Sequence, residues 1–348
     1  MSDVPFRVAL TADFYNAGEL RYRDIGLDLF AGQPRFAVTS FAEHRPIVEP
    51  QQLAGVNGAI VLTPRVTTES LTQSDNLLAI ARFGVGYDSV DVAACTAAGV
   101  MLTITTGAVD SSVAEATVCW MLALGHHLRT KDQLVRTGEW DLRSRFMGSE
   151  LRERTIGLIG FGGIGRRVLK MLSGFEIGEP LVFDPFVAPE KIVEAGAKPV
   201  TLDELLRASD YVSLHCPLSD QTRNLLSARE LALMKPTAYL LNTARGGIVN
   251  EDVLFIALKE RQIAGAALDC FVDEPLTAPP RWAELDNVLL APHSIAWTHE
   301  LFRDIGRCCC QGLILLSQGR KPTQGIVNPE VLDHPMFQAK WRRLTYSA

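Results

Sequence analysis

The stretch Thr155-Ile156-Gly157-Leu158-Ile159-Gly160-Phe161-Gly162-Gly163-Ile164-Gly165 decides the fold of this 348-residue chain. A short apolar run leads directly into a G-x-G-x-x-G turn, and residues 166–172 continue with apolar side chains at helical spacing. The pattern predicts a strand, a tight turn at Gly160 and a helix that packs closely on the strand at Gly165. Gly162 would let the backbone approach the phosphates of a dinucleotide, which bind the unpaired N–H groups at a helix N-terminus.

A second apolar run supports a dinucleotide site. Residues 181–183 form this run and are followed by Asp184, at about the 20-residue offset at which an acid can bind the ribose 2′-hydroxyl. The next segment, Pro185-Phe186-Val187, holds no arginine for a 2′-phosphate, so we expect NAD rather than NADP. The alternative is a glycine turn followed by a surface aspartate.

The composition is that of an ordinary globular protein and narrows the choice of partners. The length suits about two domains, and 47% hydrophobic with 21% charged residues is a usual balance. A net charge of −6 argues against nucleic acid as a partner. The first ten residues lack a signal-peptide pattern, and no apolar run reaches the ~18 residues of a membrane helix. We therefore expect a cytoplasmic protein that does not bind a membrane.

The seven cysteines include no C-x-x-C pair, so neither a zinc site nor a redox motif is indicated, and no metal is expected. Cys308, Cys309 and Cys310 are consecutive within an apolar helical pattern. Their side chains then point in different directions and cannot easily share an ion. We expect buried structural thiols, which suit a reducing compartment.

Apolar runs alternate with helical patterns in two series, which predicts two parallel sheets flanked by helices. The predicted strands are 6–10, 35–41, 59–62, 78–81 and 100–104 in the first series, and 155–159, 181–183, 211–215, 238–242, 263–268 and 288–291 in the second. Ser111 and Ser112 offer a hydroxyl N-cap for a long helix to about residue 136, and another helix spans 298–317. With six strands in the second sheet, the chain should return to the first domain, giving domains of 1–111 with 297–348 and of 112–296.

Polar side chains follow the strands of the second series where each strand ends. Ligands of open parallel sheets bind outside these carboxyl ends, and the residues found there are Asp184, His215, Thr243, Arg245, Asp269, Glu274 and His293. Each of them alone could be a capped or solvated loop residue. An arginine, several acids and two histidines at one sheet edge together predict a functional site.

The chain resembles the D-isomer-specific 2-hydroxyacid dehydrogenases over nearly its whole length. The matching segments follow the family's order and are GVGYDSVD (84–91), VAEAT (113–117), GFGGIG (160–165), HCPL (215–218), NTARGG (242–247), LDCFVDEP (268–275), APH (291–293) and VNP (327–329).

The resemblance implies an α/β fold in which a Rossmann-type NAD domain is inserted in a flavodoxin-like substrate domain. It assigns catalysis to Arg245, Glu274 and His293, and substrate binding to Val85 and Gly86 together with Arg245. For His215 we expect a structural or cofactor-side role rather than a catalytic one. The cofactor-binding residues that we expect are Gly160, Phe161, Gly162, Gly163, Ile164, Gly165, Asp184, His215, Cys216, Pro217, Thr222, Thr243, Ala244, Asp269 and Ser294.

The side-chain chemistry agrees with these roles. Arg245 offers a planar fork to the carboxylate of a 2-keto acid. Reduction needs a proton donor near the carbonyl oxygen, and an ionised Glu274 would keep His293 protonated and oriented for that task. The hydride itself comes from the nicotinamide. We predict NAD-dependent reduction of a small 2-keto acid, of the glyoxylate, hydroxypyruvate or pyruvate class, to the D-2-hydroxy acid.

Three departures from the family pattern narrow this prediction. Ile295 stands where many members have a small residue, and it would narrow the pocket. Members that act on 3-phosphoglycerate carry an arginine at the end of the third strand, where this chain has Val61-Leu62 and then Arg65 further on. Formate dehydrogenases pair the histidine with glutamine, whereas this chain has Glu274. We expect an unphosphorylated substrate, and Arg65 could be either a phosphate ligand or a solvated residue.

A long insertion in the sequence bears on the assembly of the protein. Residues 126–154 form a long insertion with Trp140, Phe146 and Met147 among charges, which with the resemblance predicts a homodimer. Local packing within one subunit is the alternative. The competing function is an NAD(H)-sensing, corepressor-like binding protein on the same fold, although such regulators usually carry long disordered extensions. The tail, residues 334–348, could be a packing arm or a disordered end.

Overall fold

The computed structural model of the chain describes residues 5–33 and 35–345. These residues form two compact units. Unit one comprises the chain up to Val109 together with the chain from Trp297 onward, and unit two is Asp110–Ala296. The sequence predicts domain limits at 111/112 and 296/297, two residues from the first of these limits and identical at the second.

Unit one is built on a parallel sheet of five strands in the order β4-β1-β5-β6-β7. This is the flavodoxin-like order, in which the first strand lies second in the sheet. A short antiparallel hairpin, β2-β3, turns at Ala17 and Gly18, which both have positive φ. The sequence does not predict this hairpin, because two-residue strands carry no periodicity. The elements are β1 Phe6–Leu10, β2 Tyr15–Asn16, β3 Glu19–Leu20, α1 Asp28–Ala31, β4 Phe36–Ser40, α2 Pro50–Leu53, β5 Gly58–Val61, β6 Ala79–Arg82, α3 Val92–Ala97 and β7 Met101–Thr103.

Unit two is built on a parallel sheet of seven strands in the order β10-β9-β8-β11-β12-β13-β14. The first six positions follow the Rossmann order, whose direction reverses between β8 and β11. The α/β class is thus confirmed. The elements are α4 Asp110–Gly125, α5 Leu128–Arg136, β8 Ile156–Ile159, α6 Gly163–Leu172, β9 Leu181–Phe183, α7 Pro189–Glu194, β10 Lys198–Pro199, α8 Leu202–Ala208, β11 Tyr211–Leu214, α9 Ala228–Leu231, β12 Tyr239–Asn242, α10 Glu251–Lys259, β13 Gly265–Leu268 and β14 Val288–Leu290.

The central strands of this sheet read as continuous apolar runs because both faces are covered. All four residues of β8, β11 and β13 are buried. Parallel strands flanked by helices on both sides have this pattern. The prediction of six strands was wrong by one, because β10 is a two-residue edge strand that contains a proline and has no apolar run.

The prediction of one helix from a hydroxyl cap to residue 136 is also wrong. α4 begins at Asp110, so Ser111 and Ser112 lie inside its first turn, and it ends at Gly125. His127 has a left-handed backbone, with φ of +51°, before α5 begins. Gly125, the last residue of α4, lies so close to β11 that a Cβ there would be 2.5 Å from the Tyr211 hydroxyl. The spacing of apolar residues does not indicate the break between α4 and α5.

The chain returns to unit one through two further helices, α11 His299–Ser317 and α12 Pro335–Thr345. The Thr298 hydroxyl caps α11 by accepting the N–H of Leu301 at 3.0 Å. Cys309 and Cys310 of α11 are buried, as predicted, whereas Cys308 is only half-buried. α12 is a packing arm, since the buried Lys340 ammonium donates to three backbone carbonyls, those of Ser74, Leu77 and Ala98. Residues 346–348 lie outside the described chain.

The VNP segment (327–329) packs beside β7 of the first sheet. The Asn328 side chain is fully buried, and its Oδ1 accepts the N–H of Leu102 at 2.8 Å. Its Nδ2 donates to the Val100 carbonyl at 3.0 Å. The amide therefore satisfies backbone groups beside β7. Among the described residues, no helix is long and apolar enough to cross a membrane.

Candidate active site

The turn after β8 requires glycine at two positions. Gly160 has φ of +93°, and a Cβ there would lie 2.7 Å from the backbone of His215 and Cys216. A Cβ on Gly165 would lie 2.5 Å from the Gly160 carbonyl oxygen. The chain therefore turns tightly from strand to helix, and α6 packs directly on the turn.

The space beside Gly162, at the N-terminus of α6, is open. Gly162 is the N-cap of this ten-residue helix, and a Cβ built on it would meet no atom within 4 Å. Gly163 and Ile164 form the first turn of the helix, whose N–H groups have no partner within the helix. Phe161 is fully buried beneath the turn. The backbone thus has the shape and the donors that an anionic group needs.

Asp184 lies against this turn. Its Oδ2 accepts the N–H of Phe161 at 2.7 Å and its Oδ1 accepts the N–H of Phe186 at 2.9 Å. The side chain is half-buried. An ionised carboxylate has about four acceptor sites, so these two bonds fix its orientation and leave capacity for a hydroxyl group.

The segment after β11 is a braced loop. Thr222 Oγ1 accepts the N–H of Ser219 and donates to the Pro217 carbonyl, both at 2.7 Å. The His215 imidazole is half-buried, and its Nε2 lies 3.0 Å from Ser213 Oγ. Burial lowers the pKa of His215 to about 4, so the ring is neutral at neutral pH. Burial also raises the pKa of the Cys216 thiol, to about 11.

The loop after β12 depends on Asn242, which is not among the predicted site residues. Asn242 is buried, its Nδ2 donates to the Arg245 carbonyl at 2.8 Å, and its Oδ1 accepts the N–H of Ala244 at 3.0 Å. An asparagine at a strand end that bonds its own loop is a common turn device, and this signal could have identified it. Thr243 Oγ1 lies 3.3 Å from Thr117 Oγ1. The loop thereby holds Arg245 at the carboxyl edge of the sheet.

Asp269 braces the turn that carries His293. It is 5% exposed, and its Oδ1 accepts the N–H groups of Ser294 and Ile295 at 2.8 and 3.1 Å. Its carbonyl accepts the N–H of His293 at 2.8 Å. Burial raises the pKa of Asp269, and the two N–H donors oppose that rise. His293 itself has φ of +52°, a left-handed conformation that non-glycine residues adopt rarely and often at functional sites.

Glu274 and His293 form a hydrogen-bonded pair. Glu274 Oε2 lies 2.7 Å from His293 Nδ1, and Oε1 accepts the N–H of Phe271 at 2.8 Å. The side chains are 33% and 46% exposed, so the pair is open to a ligand on one side. Burial acts to raise the pKa of Glu274, but the hydrogen bonds from His293 and Phe271 outweigh it and the pKa lies below its ordinary value. The pair is therefore an imidazole beside an ionised carboxylate.

Cys270 lies beneath this pair and was not singled out from the sequence. The residue is 3% exposed, and its thiol donates to the Ala244 carbonyl at 3.4 Å. Arg245 Nη1 donates to the same carbonyl at 2.6 Å. Burial raises the pKa of the Cys270 thiol well above its ordinary value. One ligand atom from each of Cys270, Glu274 and His293 lies within 4.8 Å of the other two.

The structure thus brings most of the expected residues to one sheet edge within unit two. Val85 and Gly86 belong to unit one, where they follow β6 as half-buried residues. Gly84, just before them, has φ of +139°, and a Cβ there would lie 3.1 Å from Arg82 Nη1. This loop has a conformation that favours glycine at its first position.

Similarity to known proteins agrees with this geometry. A family model described as the D-isomer specific 2-hydroxyacid dehydrogenase NAD binding domain matches residues 118–294. The chain is also 36% identical over 278 residues to the glyoxylate reductase of Thermococcus litoralis, covering 78% of this chain and 83% of that protein. The chain belongs to the D-isomer-specific 2-hydroxyacid dehydrogenases. It is therefore an NAD-dependent enzyme of this family, and reduction of keto acids is its class of reaction.

Other members of the family are similar over different lengths. The D-3-phosphoglycerate dehydrogenase of Archaeoglobus fulgidus is 35% identical over 274 residues, which cover 79% of this chain and 51% of that protein. The crystal structure of a glyoxylate reductase from Paecilomyes thermophila matches with a TM-score of 0.79 and 26% identity, covering 94% of this chain and 99% of that one. The fold thus extends over nearly the whole of both chains.

Proposed function

We propose that this dehydrogenase reduces a small, unphosphorylated 2-keto acid to the D-2-hydroxy acid, with Arg245, Glu274 and His293 as the catalytic residues. The observation that carries the proposal is the 2.7 Å contact between Glu274 and His293, at the carboxyl edge of a sheet that also carries the glycine turn. A carboxylate and an imidazole in this contact are a usual acid–base unit.

The proton follows from the geometry of this pair. Glu274 holds Nδ1 of His293, so Nε2 is the ring nitrogen that faces a substrate. In reduction, bound NADH supplies a hydride to the carbonyl carbon. The imidazolium donates its proton to the carbonyl oxygen, and the ring is left neutral beside Glu274. Oxidation of the hydroxy acid runs the same transfers in reverse and needs a neutral ring.

Arg245 suits the carboxylate of the substrate. Its guanidinium is half-buried at the same edge, and Nη1 is oriented by the Ala244 carbonyl. A guanidinium binds a carboxylate through two parallel hydrogen bonds, which fixes the plane of the keto acid as well as its position. Val85 and Gly86 stay a proposal for substrate binding, based on the family pattern.

The residues of the turn fit a dinucleotide. Gly162 leaves open space, the α6 N-terminus offers N–H donors and Asp184 keeps acceptor sites for ribose hydroxyls. We further propose Phe161, Gly163, Ile164, His215, Cys216, Pro217, Thr222, Thr243, Ala244, Asp269 and Ser294 as the residues around the cofactor. The carboxylate of Asp184 would repel a 2′-phosphate, so NADH should give a higher kcat/KM than NADPH.

One steady-state assay tests the substrate class and the cofactor together. The panel is glyoxylate, hydroxypyruvate, pyruvate and phosphohydroxypyruvate, each with NADH and with NADPH. We expect turnover of the unphosphorylated acids with NADH. A higher kcat/KM with phosphohydroxypyruvate would instead assign the exposed Arg65 as a phosphate ligand. NADH binding without turnover of any acid would favour the corepressor-like alternative.

We also propose a cytoplasmic homodimer. In the insertion, Trp140 is 60% and Met147 79% exposed, and the Phe146 ring lies 6.3 Å from the His127 ring. Exposed apolar side chains of this size suggest a partner surface, and the seven free cysteines suit a reducing compartment. Light scattering at micromolar concentration should give twice the chain mass. A monomeric mass would favour local packing within one subunit.

A further inference from the structure

The side chains of Cys270, Glu274 and His293 offer three different ligand atoms within 4.8 Å of one another. Sulfur, carboxylate oxygen and imidazole nitrogen form a donor set that zinc and other thiophilic divalent cations bind. We propose that these side chains form an inhibitory site for such a cation. The sequence hides this set because the ligands follow two different strands, β13 and β14, rather than forming a C-x-x-C pair.

The distances suit a cation after a small adjustment. Zinc lies about 2.3 Å from sulfur and about 2.0–2.2 Å from nitrogen or oxygen, so its ligands lie about 3–4 Å apart. The ligand atoms are at most 4.8 Å apart, and Glu274 and His293 are at 2.7 Å. Movement of side chains by about 1 Å would enclose the ion, and the exposed face of His293 leaves a fourth position for water.

The cation would replace protons. It would take the place between His293 Nδ1 and Glu274 Oε2 and would displace the hydrogen of the Cys270 thiol, which otherwise bonds the Ala244 carbonyl. A coordinated thiol gives up its proton to solvent. The ion would thus form bonds to Sγ and to Nδ1, the S–H bond and the N–H bond on Nδ1 would break, and both protons would pass to solvent. Inhibition rests on the proposed function, because it requires that Glu274 and His293 transfer the proton of catalysis.

Cys270 is the residue that makes the site selective. A glutamate and a histidine alone bind a divalent cation weakly, whereas a third ligand of soft character favours zinc or cadmium over magnesium. We therefore expect micromolar ZnCl2 to inhibit the enzyme and MgCl2 at the same concentration to have no effect. A chelator should restore the activity.

The test compares Cys270→Ser and Cys270→Ala with Cys119→Ser, which removes an exposed thiol on α4. The zinc concentration for half-inhibition should rise by about 100-fold in both Cys270 variants and stay unchanged in Cys119→Ser. Mutating a residue that only hydrogen-bonds a metal ligand typically costs about 10–100-fold in metal affinity, and removing the ligand itself should cost at least as much. Melting curves establish that each variant is folded. Equal inhibition of the wild type and both Cys270 variants would overturn the proposal.

A binding measurement separates this proposal from the catalytic one. Titration of the wild type with CoCl2 should give a thiolate-to-cobalt charge-transfer absorption, and this absorption should be missing in Cys270→Ala and present in Cys119→Ser. This result would stand even if no keto acid were turned over. If the absorption were missing from the wild type, the metal site would be wrong, whatever the activity assays gave.

Discussion

His215 and His293 follow two parallel strands of the same sheet, yet their surroundings differ. His215 is half-buried beside Ser213, and burial lowers its pKa to about 4. His293 exposes 46% of its side chain, has a left-handed backbone and lies 2.7 Å from Glu274. A position just after a strand brings a side chain to the carboxyl edge of the sheet, where ligands bind. Its neighbours decide whether it lies beside a charged partner, as His293 does, or is held neutral by burial, as His215 is.

The sharpest test of this comparison removes each ring in turn. His293→Ala should lower kcat for reduction by about 10²–10⁴, the usual effect of losing a general acid. His215→Asn should lower it by about tenfold or less, because a neutral, half-buried ring supplies no proton. Steady-state kinetics with NADH and the best keto acid of the panel measure both.

Fluorescence titration with NADH is the control for this pair of variants. Both should bind the cofactor, so that a loss of turnover reports on the chemical step. If His215→Asn abolished turnover and His293→Ala retained it, the two assignments would have to be exchanged.

Glu274→Gln tests why His293 carries the proton. The lowered pKa of Glu274 means that it is ionised at neutral pH and stabilises an imidazolium. Glutamine keeps the shape and a hydrogen bond but removes the charge, so the ring loses its proton more readily. The alkaline fall of kcat/KM in reduction should therefore move to lower pH. Oxidation, which needs the neutral ring, should change less near pH 7.

The pH profile distinguishes this electrostatic role from a merely structural one. A structural effect would lower kcat/KM at every pH and leave the alkaline fall in place. In that case His215 and His293 would differ in their exposure, and the charge of Glu274 would not matter.

The strand ends were predictable from the sequence because apolar runs and the polar residues after them are local signals. β1 and β9 have the predicted bounds, and the other matched strands differ by one or two residues at their ends. Asp184, Arg245, Glu274 and His293 were found because each follows such a run. The pairing of Glu274 with His293 came from the family pattern and not from spacing.

The features that were missed depend on backbone conformation or on contacts between distant residues. The left-handed backbone at His127 ends the helical path without changing the apolar pattern. Cys270 is not indicated by the sequence, since its place beside Glu274 and His293 depends on the pairing of β13 with β14. Asn242 is the exception, because it bonds backbone groups only two and three residues ahead, and an asparagine at a strand end is a local signal that could have identified it.

Asp269 supports the turn that carries His293, whereas the ring of His215 contacts the Ser213 hydroxyl. Substitutions of Asp269 should have an effect of intermediate size on stability and turnover. Asp269→Ala leaves the N–H groups of Ser294 and Ile295 without their acceptor. We expect the free energy of unfolding to fall by about 1–3 kcal/mol and turnover to fall with it. Asp269→Asn keeps an oxygen acceptor and should retain more stability. Urea unfolding measures the free energy of unfolding of both variants. Equal losses would show that the charge of Asp269 matters rather than its hydrogen bonds to the turn.

The smallest effect concerns the stability that His215 contributes as a neutral ring. An unfolded histidine titrates near pH 6.5, whereas His215 in the folded protein titrates near pH 4. Between these values the unfolded chain binds more protons, so the contribution is complete above pH 6.5 and is lost as pH falls towards 4. Between pH 7.5 and 4.5 the wild type should lose about 2–4 °C more in Tm than His215→Asn does. The other titratable groups are common to both proteins and cancel in the difference. Parallel Tm curves would mean that solvent reaches the His215 ring, and burial would no longer explain why the two histidines differ.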